Sequence, residues 1–259
     1  MNLSDFFELR RLAWRRLRSE QDYRAFQAFQ ARQLIDYLKA RGVVVRDRSV
    51  LDLGSGVAGY SQEFALAGAR VISLDLVTPR QTHVEEMMLV QANAVAIPLS
   101  SGALDIVFCA SLIEHVAGPE VVLAEIERVL KPRGYAYISF PPYYSPTGGH
   151  EFAPFHYLGE RLALRLVRRR AVVPAWVYQL YNLPEQPASF AHLSDGWGLY
   201  KLTIHKFRRL LAQTQLRCRD VSTRYFPVSF IRWPLLGEIL TWHAQFLVVK
   251  PPQGTSQTP

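Results

Sequence analysis

The run Val50-Leu51-Asp52-Leu53-Gly54-Ser55-Gly56-Val57-Ala58-Gly59-Tyr60-Ser61 constrains this chain more than any other. An apolar stretch of strand length enters a glycine turn and leaves as a helix, which is how a parallel α/β unit begins. One strand later, Arg70-Val71-Ile72-Ser73-Leu74-Asp75-Leu76 is an apolar run that ends on a carboxylate. Glycines let the backbone approach a ligand closely, and an acid about twenty residues on accepts the hydroxyls of a ribose. Together they predict an adenosine cofactor laid over the turn.

Two cofactor classes share that grip. Gly54-x-Gly56-x-x-Gly59 fits the dinucleotide fingerprint of an NAD(P)-dependent oxidoreductase. Asp52, however, stands two residues before the first glycine, where a dinucleotide would bring its pyrophosphate. A fixed anion there repels phosphate and suits the ammonium of a methionine moiety. Asp52-Leu53-Gly54-Ser55-Gly56 resembles motif I of the class I S-adenosylmethionine (SAM) dependent methyltransferases.

The resemblance continues in order along residues 48 to 140, in the manner of the methyltransferase type 11-like family. Gln91-Ala92-Asn93-Ala94 with Ile97-Pro98-Leu99 resembles the segment whose polar residue touches the adenine. Ala103 to Ser111 resembles the fourth strand and its cofactor-facing loop, and Leu112-Ile113-Glu114-His115-Val116 the acid-histidine element after it. Glu127 to Tyr135 resembles the turn before strand five. The resemblance implies a Rossmann-like α/β fold: a seven-stranded, mostly parallel sheet with helices on both faces and an inserted helical cap. It implies SAM as cofactor, held by Asp52, Gly54, Ser55, Gly56, Asp75 and Leu76. Asn93 and Ala94 would sit at the adenine, and Ser111 and Leu112 near the methionine end.

Five segments are expected: an N-terminal helical extension (1–42), the cofactor core (43–140), a substrate cap (141–202), the rest of the core sheet (203–250) and a disordered tail (251–259). Ser4 and Thr203 read as helix caps, and a second helix should run from Tyr23 to Arg41 and stop at Gly42. Strands are placed at 49–53, 70–75, 88–91, 104–109, 134–140, 217–225 and 243–250, with helices at 59–67 and 119–130. Pro141 to His150 reads as a loop, followed by a basic helix through Arg170.

Of the 259 residues, 1–50 carry a net charge of +5, 51–140 carry −5 and 141–259 carry +8. The basic charge thus flanks an acidic core, as it would if the acceptor side met an anionic partner such as a membrane surface. No apolar run reaches spanning length, the start lacks the pattern of a signal peptide, and Cys109 and Cys218 are the only cysteines. A cytoplasmic protein, peripheral at the inner membrane face, is the expectation. Nothing matches a nucleic-acid module.

Transfer to an amine or hydroxyl releases a proton, so a base titrating near neutral pH is sought. His115, just after strand four, and His150, in the loop after strand five, are the catalytic candidates. Tyr143, Tyr144, Glu151 and His156 are assigned to the acceptor, Glu151 orienting His150. No compact His/Asp/Glu cluster demands a metal. Phe140-Pro141-Pro142-Tyr143 lacks the acceptor residue of the motif used on nucleobase amines, so it reads as a rigid turn. Arg161 to Arg170, amphipathic and dense in arginine, could lie on an anionic membrane or grip phosphate. The acceptor is expected to be a hydroxyl on a glycan, lipid-linked sugar or amphipathic small molecule. An oxidoreductase and a non-catalytic SAM-binding relative remain as alternatives.

Overall fold

A computed structural model describes residues 3–77, 87–224 and 229–252. Helix α1 (Leu3–Arg15) already includes Ser4, which is therefore not its cap. Helix α2 (Glu20–Lys39) starts on Ser19, whose hydroxyl accepts the Asp22 N–H at 3.0 Å. From there strands alternate with helices: β1 (Ser49–Leu53), α3 (Gly59–Leu66), β2 (Arg70–Asp75), β3 (Met87–Gln91), β4 (Leu104–Ala110), α4 (Pro119–Val129) and β5 (Leu130–Phe140). Strand β5 begins four residues earlier than expected, and a register shift against β4 between Leu104 and Ile106 accompanies the longer strand.

Seven strands form one sheet in the order β3-β2-β1-β4-β5-β7-β6. Neighbours from β3 to β5 pair parallel, and β7 (Ala244–Val249) runs antiparallel to both β5 and β6 (Arg217–Thr223). Alternation along each strand sorts side chains between two cores. Leu51, Leu53, Val107, Cys109, Ile138 and Phe140 meet α4 and helix α8 (Ile204–Leu211) on one face. Val50, Ile106, Phe108 and Tyr137 meet α2 and α3 on the other. Helix α2, expected as an extension, therefore supplies part of the sheet's second face through Ala31, Leu34 and Leu38.

Residues 141–202 carry three short helices, α5 (Glu160–Leu166), α6 (Arg169–Val172) and α7 (Ala175–Tyr181), around a small core of Phe152, Ala163, Phe190, Leu193 and Leu199. The continuous basic helix expected through Arg170 is broken here into α5 and α6. The Arg169 side chain is 1 % exposed, bonds the Glu151 carboxylate at 3.1 Å and donates to the Leu193 carbonyl at 2.8 Å. It is a buried fastener rather than a surface cation. Arg169→Ala would leave Glu151 unpaired inside the cap, so a loss of about 3–5 kcal/mol is expected. Limited proteolysis confined to 141–202 measures it; unchanged cleavage would show that the pair does not hold the cap.

Thr203 caps α8 as expected, accepting the Lys206 N–H at 3.0 Å. The helix ends at Leu211, and the Thr214 hydroxyl donates to the Leu211 carbonyl at 2.7 Å. Helix α9 (Leu236–Leu240) was not anticipated. Tyr225, the end of the strand expected over 217–225, and residues 253–259 of the expected tail lie outside the described residues. Among the described residues no helix is long and apolar enough to cross a membrane.

Candidate cofactor and acceptor site

The turn after β1 is shaped by close approach. The Gly54 and Ser55 N–H groups donate to the Leu74 carbonyl at 2.8 and 3.1 Å, tying the turn to β2. Gly54 has φ +79°, and a Cβ there would stand 2.3 Å from Leu112 Cδ1. Gly59 has no such φ, yet a Cβ there would lie 2.8 Å from the Arg24 carbonyl oxygen, so α2 can cross α3 only over a glycine. Gly54→Ala is accordingly expected to abolish binding of S-adenosylhomocysteine, measured by calorimetry, because strain and collision coincide.

Asp52 is 1 % exposed and accepts the Ser61 hydroxyl at 2.6 Å. Burial, with Asp75 adding like charge, pushes its carboxyl up to about 7 against the hydrogen bonds from Ser61. Asp75 accepts the Gly56 N–H at 2.8 Å and the Val77 N–H at 3.2 Å; burial raises it too. Part of its accepting capacity thus closes the turn. Asn93, exposed beyond β3, accepts the Val95 N–H at 3.1 Å, beside the buried Ala94. Ser111, with φ +53°, leads from β4 to Leu112.

Residues outside the sequence motifs close over this groove. Gln27 of α2 accepts the Gly59 N–H at 3.0 Å. A Cβ on Gly56 would meet the Tyr181 hydroxyl of α7 at 3.0 Å, and one on Gly196 would meet Leu76 at 2.9 Å. The cap therefore reaches the glycine turn and the end of β2. Nothing in the local sequence of Tyr181 marks this, because the contact depends on how the cap folds back.

At the ends of β4 and β5 the chain brings together Glu114, His115 and His150. The His115 Nδ1 lies 2.6 Å from the Gly198 carbonyl and donates to it, leaving Nε2 as the lone-pair nitrogen. Glu114 is 2 % exposed; its Oε1 lies 3.6 Å from His150 Nε2 and 3.9 Å from His115 Nε2. The imidazoles stand 4.6 Å apart, with Trp197 edge-on to His115 at 5.0 Å. Burial lowers His115, helped by the charge of His150. Burial would lower His150 as well, but the Glu114 carboxylate outweighs it and His150 ends raised. His115 is thus the better neutral base of the two, and Glu114 favours the proton on His150. The expectation that no compact cluster forms is corrected: these three residues offer ligand atoms within 4.8 Å of one another.

The other acceptor candidates divide. Tyr144 is exposed and lines a cavity of about 780 Å³ with Tyr157, Ile204, Arg208 and Trp233. Tyr143 is buried, packed edge-on against His156 at 5.3 Å. His156 is buried too, its Nε2 donating to the Tyr143 carbonyl at 3.0 Å while Gly149 covers its ring. Both are internal braces, a correction to their assignment to the acceptor. Glu151 is also corrected: it pairs with Arg169, and Glu114 is the acid beside His150.

A parallel sheet with one reversed strand, a glycine turn after β1 and acids at the ends of β1 and β2 define a Rossmann-like, class I nucleotide-cofactor fold. A family model described as a methyltransferase domain matches residues 51–138. A methyltransferase of uncharacterised activity from Mycobacteroides abscessus is 34% identical over 142 residues, covering 51% of this chain and 54% of the relative. The chain thus spans about half the length of the curated relatives it matches. Among solved structures, a SAM-dependent methyltransferase from Mesorhizobium loti superposes with TM-score 0.54 at 16% identity, covering 83% of this chain and 96% of that one. The 1,6-didemethyltoxoflavin-N1-methyltransferase of Burkholderia thailandensis, solved with S-adenosylhomocysteine, gives 0.51 at 17% identity, over 86% and 78%. Residues 51–138 thus match a methyltransferase domain, and the solved structures that share the fold include SAM-dependent methyltransferases. The residues present fit SAM: bare backbone at Gly54 and Gly56, Asp52 and Asp75 for the ammonium and ribose, and Asn93 beyond β3.

Proposed function

We propose that this protein transfers the methyl group of SAM to a hydroxyl on a glycan, a lipid-linked sugar or another amphipathic small molecule. Bound SAM supplies a methyl carbon already activated for in-line displacement. The protein contributes alignment and a place for the acceptor's proton. One observation carries the reading: His115 Nε2 is an unprotonated nitrogen beside a buried carboxylate, in the element that follows Ser111 and Leu112. Gly198 holds the tautomer, His150 and Glu114 stand beside the ring, and Trp197 covers it.

The amphipathic character of the acceptor is supported by a second surface. Trp233, Leu235, Leu236 and Trp242 are exposed, and Arg208 and Arg232 line the cavity that Trp233 and Leu235 border. Apolar anchors beside cations suit an acceptor with an acyl tail at the inner face of a membrane. The test is labelled SAM incubated with fractionated extract of the source cell, alongside titration of S-adenosylhomocysteine. Label in lipid or glycan supports the proposal. Label only in protein or RNA overturns the acceptor class, and tight cofactor binding with no labelled product overturns methyl transfer.

A further inference from the structure

Glu114 presents an electrostatic problem that hydrogen bonding leaves unsolved. Its carboxylate is 2 % exposed, and neither oxygen has a hydrogen-bond partner. A buried carboxylate without partners is costly enough that folds seldom retain one. The two imidazole Nε2 atoms, at 3.6 and 3.9 Å from Oε1, are too far to bond it well. Those separations instead approach the spacing between ligands of a tetrahedral ion, about 3.4 Å for bonds of about 2.1 Å.

Three further features agree. The His115 Nδ1–H is held by the Gly198 carbonyl at 2.6 Å, the outer bond that turns the other nitrogen toward an ion. His150 Nε2 is buried without a hydrogen-bond partner. His150 also keeps a left-handed backbone, φ +48°, which a non-glycine residue adopts only where its surroundings enforce it. Two nitrogens and one carboxylate suit first-row transition metals better than calcium or magnesium.

We propose that Glu114, His115 and His150 bind one divalent transition-metal ion, Zn²⁺ or Mn²⁺, with a position left open for an oxygen of the acceptor. The ion-binding part stands on geometry alone; the role toward the acceptor rests on the methyltransferase reading. An acceptor O–H ligated there loses its proton to solvent, the bonding pair stays on oxygen, and the ion carries the developing charge. With the ion in place, both imidazoles act as ligands, and the proton no longer needs His115.

The test uses the full chain, stripped by a chelator and dialysed, then titrated with Zn²⁺ and with Mn²⁺ by calorimetry and metal counting. Expected is one ion per chain, weakened at least about 100-fold by Glu114→Gln and by His150→Ala, since even outer-sphere changes cost 10–100-fold. S-adenosylhomocysteine binding, measured on every sample, reports the fold and the cofactor groove separately. Cofactor binding without a stoichiometric ion overturns the metal site, as does equal ion affinity in parent and both variants. Ion binding that weakens in both variants, without any cofactor binding, would keep the metal site and overturn the cofactor reading.

Discussion

At pH 7 the Asp52→Asn variant should melt at a higher temperature than the parent and bind S-adenosylhomocysteine at least about tenfold more weakly, the weight of one lost charge-assisted contact. Both effects come from one carboxyl. In the fold it titrates at about 7, against 3.8 for an ordinary aspartate, because burial penalises the anion. A raised pKa means that the folded state holds the proton more tightly. The stability contributed is therefore complete below pH 3.8 and lost as pH rises through about 7. A difference of that size is worth up to about 4 kcal/mol. Asparagine mimics the neutral acid and keeps an oxygen for the Ser61 hydroxyl, so it removes the penalty. It also removes the anion that a methionine ammonium would meet. In the parent, cofactor affinity should fall as pH drops below about 7; in the variant it should be flat. Thermal melts and calorimetry from pH 5.5 to 8 measure both. A parent affinity independent of pH, with a variant that melts lower, would refute the assignment.

His115→Ala should lower kcat by about 10²–10⁴, the usual weight of a positioned base, with little change in S-adenosylhomocysteine affinity. Its ring contacts are His150, Trp197 and Gly198, none of them in the glycine turn. The imidazole must be neutral whether it takes a proton or binds an ion. Burial and the nearby His150 hold its pKa below 6.5, so the parent's rate should fall only on the acid side of that value. The variant's residual rate should lose that limb. A pH–rate profile of kcat/KM decides: an acid limb that persists in His115→Ala assigns the titration to another group.

Strands β1 and β2 were legible residue for residue, because a buried parallel strand needs an unbroken apolar run and little else competes for one. The glycine turn was equally plain, since its positive φ values and close approaches admit almost no other residue. The histidines were found individually, each just beyond a strand that ends at the cofactor edge. What escaped was their partner. Glu114 lies far from His150 in sequence, and the two meet because β4 and β5 are parallel neighbours whose carboxyl ends open on the same side. Glu151, adjacent to His150 in sequence, was the natural partner to choose, and Arg169 draws it away. Tyr143 and His156 misled for a related reason: their residue types suit a binding pocket equally well when they brace a loop from inside.

The sequence by itself determined the parallel strands and the residues of the glycine turn, because those depend on local spacing and backbone geometry. Only the tertiary structure decided that α2 belongs to the sheet's second face, that Arg169 fastens the cap, and that Glu114, His115 and His150 share one buried site. Each of those is a long-range contact between side chains whose types have several ordinary uses. Burial and distance select among the uses, and neither is written in the order of the residues.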